Sequence, residues 1–252
     1  MRTIAIVNQK GGSGKTTTSV NLAAALTELG QRVLLIDLDP QGSTSMWYGF
    51  KERGKALFDL LTEDSAFEQA IEKTEYDKLH MVPASMLLAG VEKALANEVA
   101  SESILKNKFH KMAEKPWDYI LMDCPPTLGI LSLNALTFAN EVLIPVETHV
   151  MALSGLVQLL KTINLVKDRL NPTLEIAGIL PCRVDNRTKH SQEVVTQLRT
   201  RFEGKVYQSV IRENIRLAEA PLHVKPITHY DSSSNGAKDY RSLADELTKQ
   251  KR

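Results

Sequence analysis

The sequence predicts an α/β fold, with a mostly parallel central sheet and helices on both faces. Short apolar, β-rich runs alternate along its 252 residues with longer stretches of helical periodicity. Several of those runs are apolar almost throughout, as strands buried on both faces require. A glycine-rich turn joins the first run to the first helical stretch, the usual place for a phosphate-binding loop in such a sheet.

Each element follows in order. Residues 3–8 (TIAIVN) form the first strand. Residues 16–29 have helical spacing, with Val20, Leu22, Ala23, Leu26 and Leu29 as the apolar stripe, and Gly30 supplies the stop. Residues 33–36 (VLLI) form the second strand. After a charged helical stretch, 79–84 (LHMVPA), 118–123 (DYILMD), 141–147 (EVLIPVE) and 174–181 (LEIAGILP) are further strands. Helical patterns fill 85–98, 101–113, 131–139, 152–170, 189–202 and 236–249, and 231–236 (DSSSNG) is a loop. Pro, Gly and Ser never concentrate into a linker and no repeat is evident, so residues 1–252 read as one domain.

Composition is that of a globular protein, 43% hydrophobic and 24% charged. No apolar run approaches the roughly 18 residues of a membrane span. The N-terminus lacks the pattern of a signal peptide, so a cytoplasmic location is expected. Cys124 and Cys182 are far apart and form no CxxC; both read as small buried hydrophobes. The net charge of +1 hides an asymmetry: residues 181–252 hold 14 Lys and Arg against 9 Asp and Glu, a basic third that fits a polyanionic partner.

The chemistry concentrates in NQKGGSGKTT (8–17). GSGKTT follows a strand and opens a helix, so the backbone N–H groups of Gly11, Gly12, Ser13 and Gly14 and the helix dipole face a phosphate. Lys15 is expected to reach the β- and γ-phosphates, and the Thr16 hydroxyl to ligand Mg²⁺. The standard loop would carry glycine at position 9, where Gln9 stands, and Lys10 has no place in that standard pattern. Carboxylates follow two later strands: Asp37 and Asp39 in IDLDPQGS, and Asp123 in MDCPP. Ligands of open α/β sheets sit beyond such strand ends. There Asp123 suits a water-mediated Mg²⁺ partner, and Asp39 can orient or deprotonate an attacking water.

KGGSGKTT, IDLDPQGS, DCPP and RLAEAP, in this order and spacing, resemble the ParA/Soj partition ATPases, within the deviant-Walker-A group that includes MinD. The resemblance implies a P-loop NTPase that binds ATP or ADP with Mg²⁺. It implies that Lys10 crosses a homodimer interface to the nucleotide of the other subunit, and that Lys10, Lys15 and Asp39 are catalytic. It further implies that Thr16, Asp39 and Asp123 form the metal set and that Thr17 adds a hydroxyl on the phosphate side. The segments 181–185 and 211–214 border adenine, which assigns Pro181, Arg183, Asp185 and Asn214 to the cofactor. Arg187 and Arg216 match positions that bind DNA without sequence preference.

The implied function is an ATP-sandwich dimer on nucleoid DNA, stimulated by a ParB-type partner to segregate plasmid or chromosome DNA. The alternative is the same switch positioning a protein cluster or organelle. Here Ile211-Arg212-Glu213-Asn214 replaces the family's usual I-P-R-N, and the phosphate loop begins with no helix-turn-helix before it. The tail ADELTKQKR has only Leu247 as a bulky apolar residue in its last eight, which disfavours the membrane-binding helix of MinD-like proteins. An iron protein's second cysteine is missing from 85–100.

Overall fold

The computed structural model describes residues 1–50, 56–148 and 152–250; Lys251 and Arg252 of the basic tail lie outside them. The elements run β1 (Arg2–Ile6), α1 (Lys15–Glu28), β2 (Val33–Asp37), α2 (Ser43–Trp47), α3 (Ala56–Thr62), β3 (Glu72–Lys73), β4 (Leu79–Val82), α4 (Val91–Ala94), α5 (Ile104–His110), β5 (Tyr119–Asp123), α6 (Ile130–Phe138), β6 (Glu141–Glu147), α7 (Ala152–Arg169), β7 (Glu175–Val184), α8 (Lys189–Arg201), β8 (Ile211–Arg212), α9 (Ile215–Glu219), α10 (Ile227–Tyr230) and α11 (Asn235–Lys249). The strands form one sheet in the order β3-β4-β2-β5-β1-β6-β7-β8. All pairings are parallel except β3 with β4, at the edge.

Period-two alternation along the strands makes two cores. Ala5 and Val7 of the first strand segment, with Leu34 and Ile36 of β2, face one layer, built from α3 to α8 through residues such as Leu60, Phe109, Leu136, Leu159 and Leu198. Ile4, Ile6, Val33 and Leu35 face the other, where α1 and α11 pack through Leu22, Leu26, Tyr240 and Leu247. The expected architecture is therefore present, helices on both faces included.

α1 starts at Gly14, whose φ of 94° is a left-handed conformation that glycine adopts without strain. It ends as expected: Gly30 has φ 84°, its N–H donates to the Thr27 carbonyl, and Gln31 N–H reaches the Leu26 carbonyl. Leu29, read as part of the buried stripe, is instead 46% exposed, because α1 stops at Glu28 and the chain turns away.

Other expectations shift. Residues 85–98 do not form one helix: Met86–Gly90 is a 3-10 turn and α4 adds a single turn, with Met86 and Leu87 exposed. Residues 101–113 shorten to a 3-10 turn and α5, and the strand expected over 79–84 ends at Val82. β7 runs past Pro181 to Val184. Ile179 bonds toward 205–207, so Pro181, two residues on, faces the same side, and pairing with β8 there begins only at Cys182.

Register fixes the functional end of the sheet. Ile6 and Asp37 both pair with Asp123, so β1, β2 and β5 finish level. The loops that follow them open together, beyond the carboxyl ends of the strands.

Candidate nucleotide site

A cleft of about 490 Å³ opens at that end, lined among others by Gly11 to Thr17, Asp39, Cys182, Arg183, Arg212, Asn214 and Tyr240. Its volume is within the usual range for a small-molecule site.

The phosphate loop is shaped by short bonds before it. Asn8 donates from Nδ2 to the Pro145 carbonyl at 2.7 Å, and its Oδ1 accepts the Lys10 N–H at 3.0 Å. Gly12 (φ 75°) and Gly14 then turn the chain into α1. A Cβ at Gly11 or Gly12 would meet nothing within 4 Å, so the loop rims open space. Lys15 is 7% exposed, and its ammonium has only a long 3.4 Å contact to the Lys10 carbonyl. Burial pushes its pKa down, against the attraction of Asp123 and Asp39. The Ser13 hydroxyl is buried with no partner among the described residues. A buried ammonium, an orphaned hydroxyl and an open ring of backbone together fit a phosphate chain.

Asp123 lies behind the loop, 1% exposed. Its Oδ2 accepts from the hydroxyls of Thr16 (2.8 Å) and Thr44 (2.6 Å), and its Oδ1 from Ser19 (3.0 Å). Desolvation still drives its pKa above the ordinary carboxylate value, with the three hydroxyls opposing. Asp37, fully buried, accepts from the Ser45 N–H (2.8 Å), the Ser45 hydroxyl (2.7 Å) and the Asp39 N–H (3.2 Å). Burial, then the nearby Asp123, raises its pKa. Asp37 thus brackets the Asp39 loop to the start of α2. Asp39 itself lines the cleft, with Oδ1 accepting the Gln41 N–H at 3.0 Å.

The donor set suits a hard cation. Thr16, Asp123 and Asp39 offer only oxygen, and no cluster of three or more His, Cys, Asp or Glu side chains occurs among the described residues. Magnesium, which takes one or two carboxylates and completes its shell with phosphates and water, fits such a place.

The other expected residues divide: Arg183 and Asn214 line the cleft, and Lys10, Pro181, Asp185, Arg187 and Arg216 do not. Lys10 lies on the rim, with Nζ 2.7 Å from Glu147 and its side chain 44% exposed. Arg183, in a left-handed conformation (φ 52°), does line the cleft, and bonds the other Glu147 oxygen at 2.9 Å. Pro181 is a buried strand residue paired with Val146; strand alternation turns Cys182, not Pro181, to the cleft. Burial lifts the Cys182 thiol to about 12, and Cys124 is wholly buried, so both behave as apolar filler. The Asp185 carboxylate is taken by Arg187, through its N–H, Nε and Nη2, at 2.9 to 3.0 Å. Asn214 lines the cleft and caps α9 by accepting the Arg216 N–H at 2.8 Å. Arg216 pairs with Glu219 (2.9 Å) and Asp231 (3.5 Å).

Comparison with known proteins agrees with this geometry. A family model described as AAA domain matches residues 1–176. The sporulation initiation inhibitor protein Soj of Bacillus subtilis (strain 168) is 44% identical over 246 residues, covering 97% of both chains. The chromosome partitioning protein ParA of Caulobacter vibrioides is 42% identical over 255 residues, covering 100% of this chain and 96% of that one. This chain belongs to the ParA/Soj family of partition ATPases. Among solved structures, that of Mycobacterium smegmatis cobyrinic acid a,c-diamide synthase, with a bound ATP analogue and magnesium, superimposes with a TM-score of 0.85. It is 36% identical, covering 98% of this chain and 94% of that one. As a ParA/Soj relative the chain is an ATPase with a P-loop α/β fold. No helix among the described residues is long and apolar enough to cross a membrane.

Several parts of the site were hidden from motif reading. Thr44 and Ser19 hold Asp123 from α2 and α1, and Ser45 holds Asp37. The Ser-Thr-Ser run opening α2 was the available signal. Tyr240 reaches the cleft from the far end of the sequence, and no local pattern marks it; Arg212 lies within 211–214, the segment the resemblance set beside adenine.

Proposed function

We propose that the chain is a nucleotide-driven partition switch: it binds ATP with Mg²⁺, pairs into a dimer around the triphosphates, and in that state holds DNA without sequence preference. The observation that carries this reading is the division of labour between two lysines. Lys15 is buried inside the cleft, whereas Lys10 is 44% exposed and held by Glu147, a partner that a phosphate could replace. A rim ammonium is placed to meet charge brought by a second copy. ATP carries about four negative charges, and a lysine from each side lowers the cost of enclosing them.

In this scheme Lys15 grips the β- and γ-phosphates, and Lys10 adds charge compensation across the interface. Thr16, Asp123 and Asp39 would hold the magnesium. Bound Mg²⁺ supplies neutralisation of the β- and γ-phosphate oxygens. Asp39 orients the water for in-line attack on the γ-phosphorus, and catalysis is mainly positioning and charge stabilisation. Arg183, Asn214 and the strand end at 181–185 border the base. Arg187 and Arg216 take DNA phosphates. Both are ion-paired on the surface, but exposed pairs are screened by water and salt and contribute little, so a polyanion can displace the acids. A ParB-type partner stimulates hydrolysis and returns the dimer to monomers, and the work is segregation of plasmid or chromosome DNA on the nucleoid.

Light scattering with and without ATP–Mg²⁺ tests the core of this. Asp39→Ala should double in mass with ATP, and Lys10→Ala should bind ATP yet remain monomeric. Equal masses for the loaded and unloaded wild-type protein would end the proposal.

A further inference from the structure

One wall of the cleft is secured by an ion pair to which the scheme above gives no role. β8 is only two residues long, and its second residue, Arg212, is tied to α11. The Arg212 backbone N–H donates to Asp239 Oδ2 at 2.9 Å. Its Nε lies 3.0 and 3.1 Å from the two Asp239 oxygens, and its Nη2 lies 2.5 Å from Oδ1. Asp239 is 7% exposed. A proline in place of Arg212 would remove both the N–H donor and the guanidinium.

The next residue of α11 serves the opposite wall. Tyr240, 1% exposed, sets its hydroxyl 3.4 Å from the Thr18 hydroxyl, at the start of α1 behind the phosphate loop. α11 is itself fixed. Ala237, Leu243, Ala244 and Leu247 are fully buried, and Gly236 packs so closely that a Cβ there would lie 2.7 Å from Leu217. Beyond the Asp239 clamp, the wall at 211–214 is tied to the sheet by short pairing with β7 and by Glu213 N–H to the Val184 carbonyl at 3.1 Å.

We propose that Asp239 is a positioning residue for the nucleotide base: by clamping Arg212 it sets the distance between the wall at 211–214 and the phosphate loop. This rests on reading the cleft as a nucleotide site. The phosphates are held by residues 11–17, on α1 and its loop, and the base meets the wall that Asp239 holds. Loosening the clamp therefore weakens ligands that carry a base and spares those that do not.

The test compares ATP–Mg²⁺ with inorganic tripolyphosphate–Mg²⁺ by calorimetry on the full chain. Asp239→Asn keeps the shape and removes the charge; its ATP dissociation constant should rise about ten-fold, the scale of one lost charge-assisted hydrogen bond. Its affinity for tripolyphosphate should stay at the wild-type value. Arg212→Lys, which keeps the N–H bond and the charge, should restore most of the affinity for ATP that Arg212→Gln loses. Arg212→Gln also decides the matter if Asp239→Asn does not fold, because the Arg212 side chain is one-third exposed and the N–H bond to Asp239 survives. An equal loss for both ligands would make the pair a general structural tie and overturn the proposal. Folded variants that bind ATP like wild type would overturn it as well. Wild-type protein that binds neither ligand would instead overturn the nucleotide reading beneath it.

Discussion

Thr44→Val examines the buried carboxylate at the centre of the site. The Thr44 side chain is fully buried and gives the shortest of three hydroxyl bonds to Asp123, at 2.6 Å. Valine fills nearly the same volume, so packing changes little and the donor alone is removed. A hydrogen bond to a charged group contributes about 1.5–3 kcal/mol. For a chain of this size each kcal/mol moves the melting temperature by about 2–4 °C. Ligand-free Thr44→Val should therefore melt about 3–12 °C lower than wild type in scanning calorimetry. With saturating ATP–Mg²⁺ the gap should narrow, because a cation beside Asp123 takes over part of the compensation the hydroxyl gave. An unchanged melting temperature without ligand would mean that Asp123 draws nothing from Thr44. A gap that ATP–Mg²⁺ leaves untouched would remove Asp123 from the metal's surroundings.

Lys15→Ala should lose ATP binding in calorimetry, since among the described residues no other buried cation lines the loop; normal affinity would refute the phosphate-loop assignment. Arg216→Glu should keep ATP-driven pairing yet lose retention on DNA-coated resin, with the wild-type protein eluting at lower salt than a protein that reads bases. Gly178→Ala should cost about 1–3 kcal/mol in urea unfolding, because a Cβ there would sit 2.4–2.9 Å from the Tyr207 ring; a loss under about 0.5 kcal/mol would mean the ring moves freely. Asp118, held below the ordinary carboxylate range by its bonds from Arg32, stabilises above that range and loses the effect as pH falls through its lowered pKa. Asp118→Asn should therefore flatten the acid limb of the stability curve, and an unchanged limb would count against the pair.

The long buried strands were legible because their apolar runs have no other stable use, and β1, β2, β5 and β6 lie within a residue or two of where the pattern put them. The phosphate loop was legible because glycines, lysine and threonine at a strand-to-helix turn answer one physical demand. What escaped was short or distant. α2, α9 and α10 span five residues or fewer, too little for periodicity to show. Over 85–98 the pattern predicts a helix, but Met86 and Leu87 are exposed while Leu88, Val91 and Leu95 find the core, and the segment winds irregularly. The donors to Asp123 come from two separate helices, α1 and α2, and the wall held by Asp239 joins residues 27 apart. Such pairings exist only once tertiary packing brings them together.

Both margins of the sheet are two-residue strands, and the outer one at the β3 side consists of Glu72 and Lys73. Neither rim presents a ladder of open amide and carbonyl groups long enough to recruit a strand from a neighbour, and charged side chains discourage it further. Copies of this chain are thereby kept from stacking edge to edge into fibres. Any regulated pairing is steered to loop surfaces, where a bound small molecule can decide whether it happens.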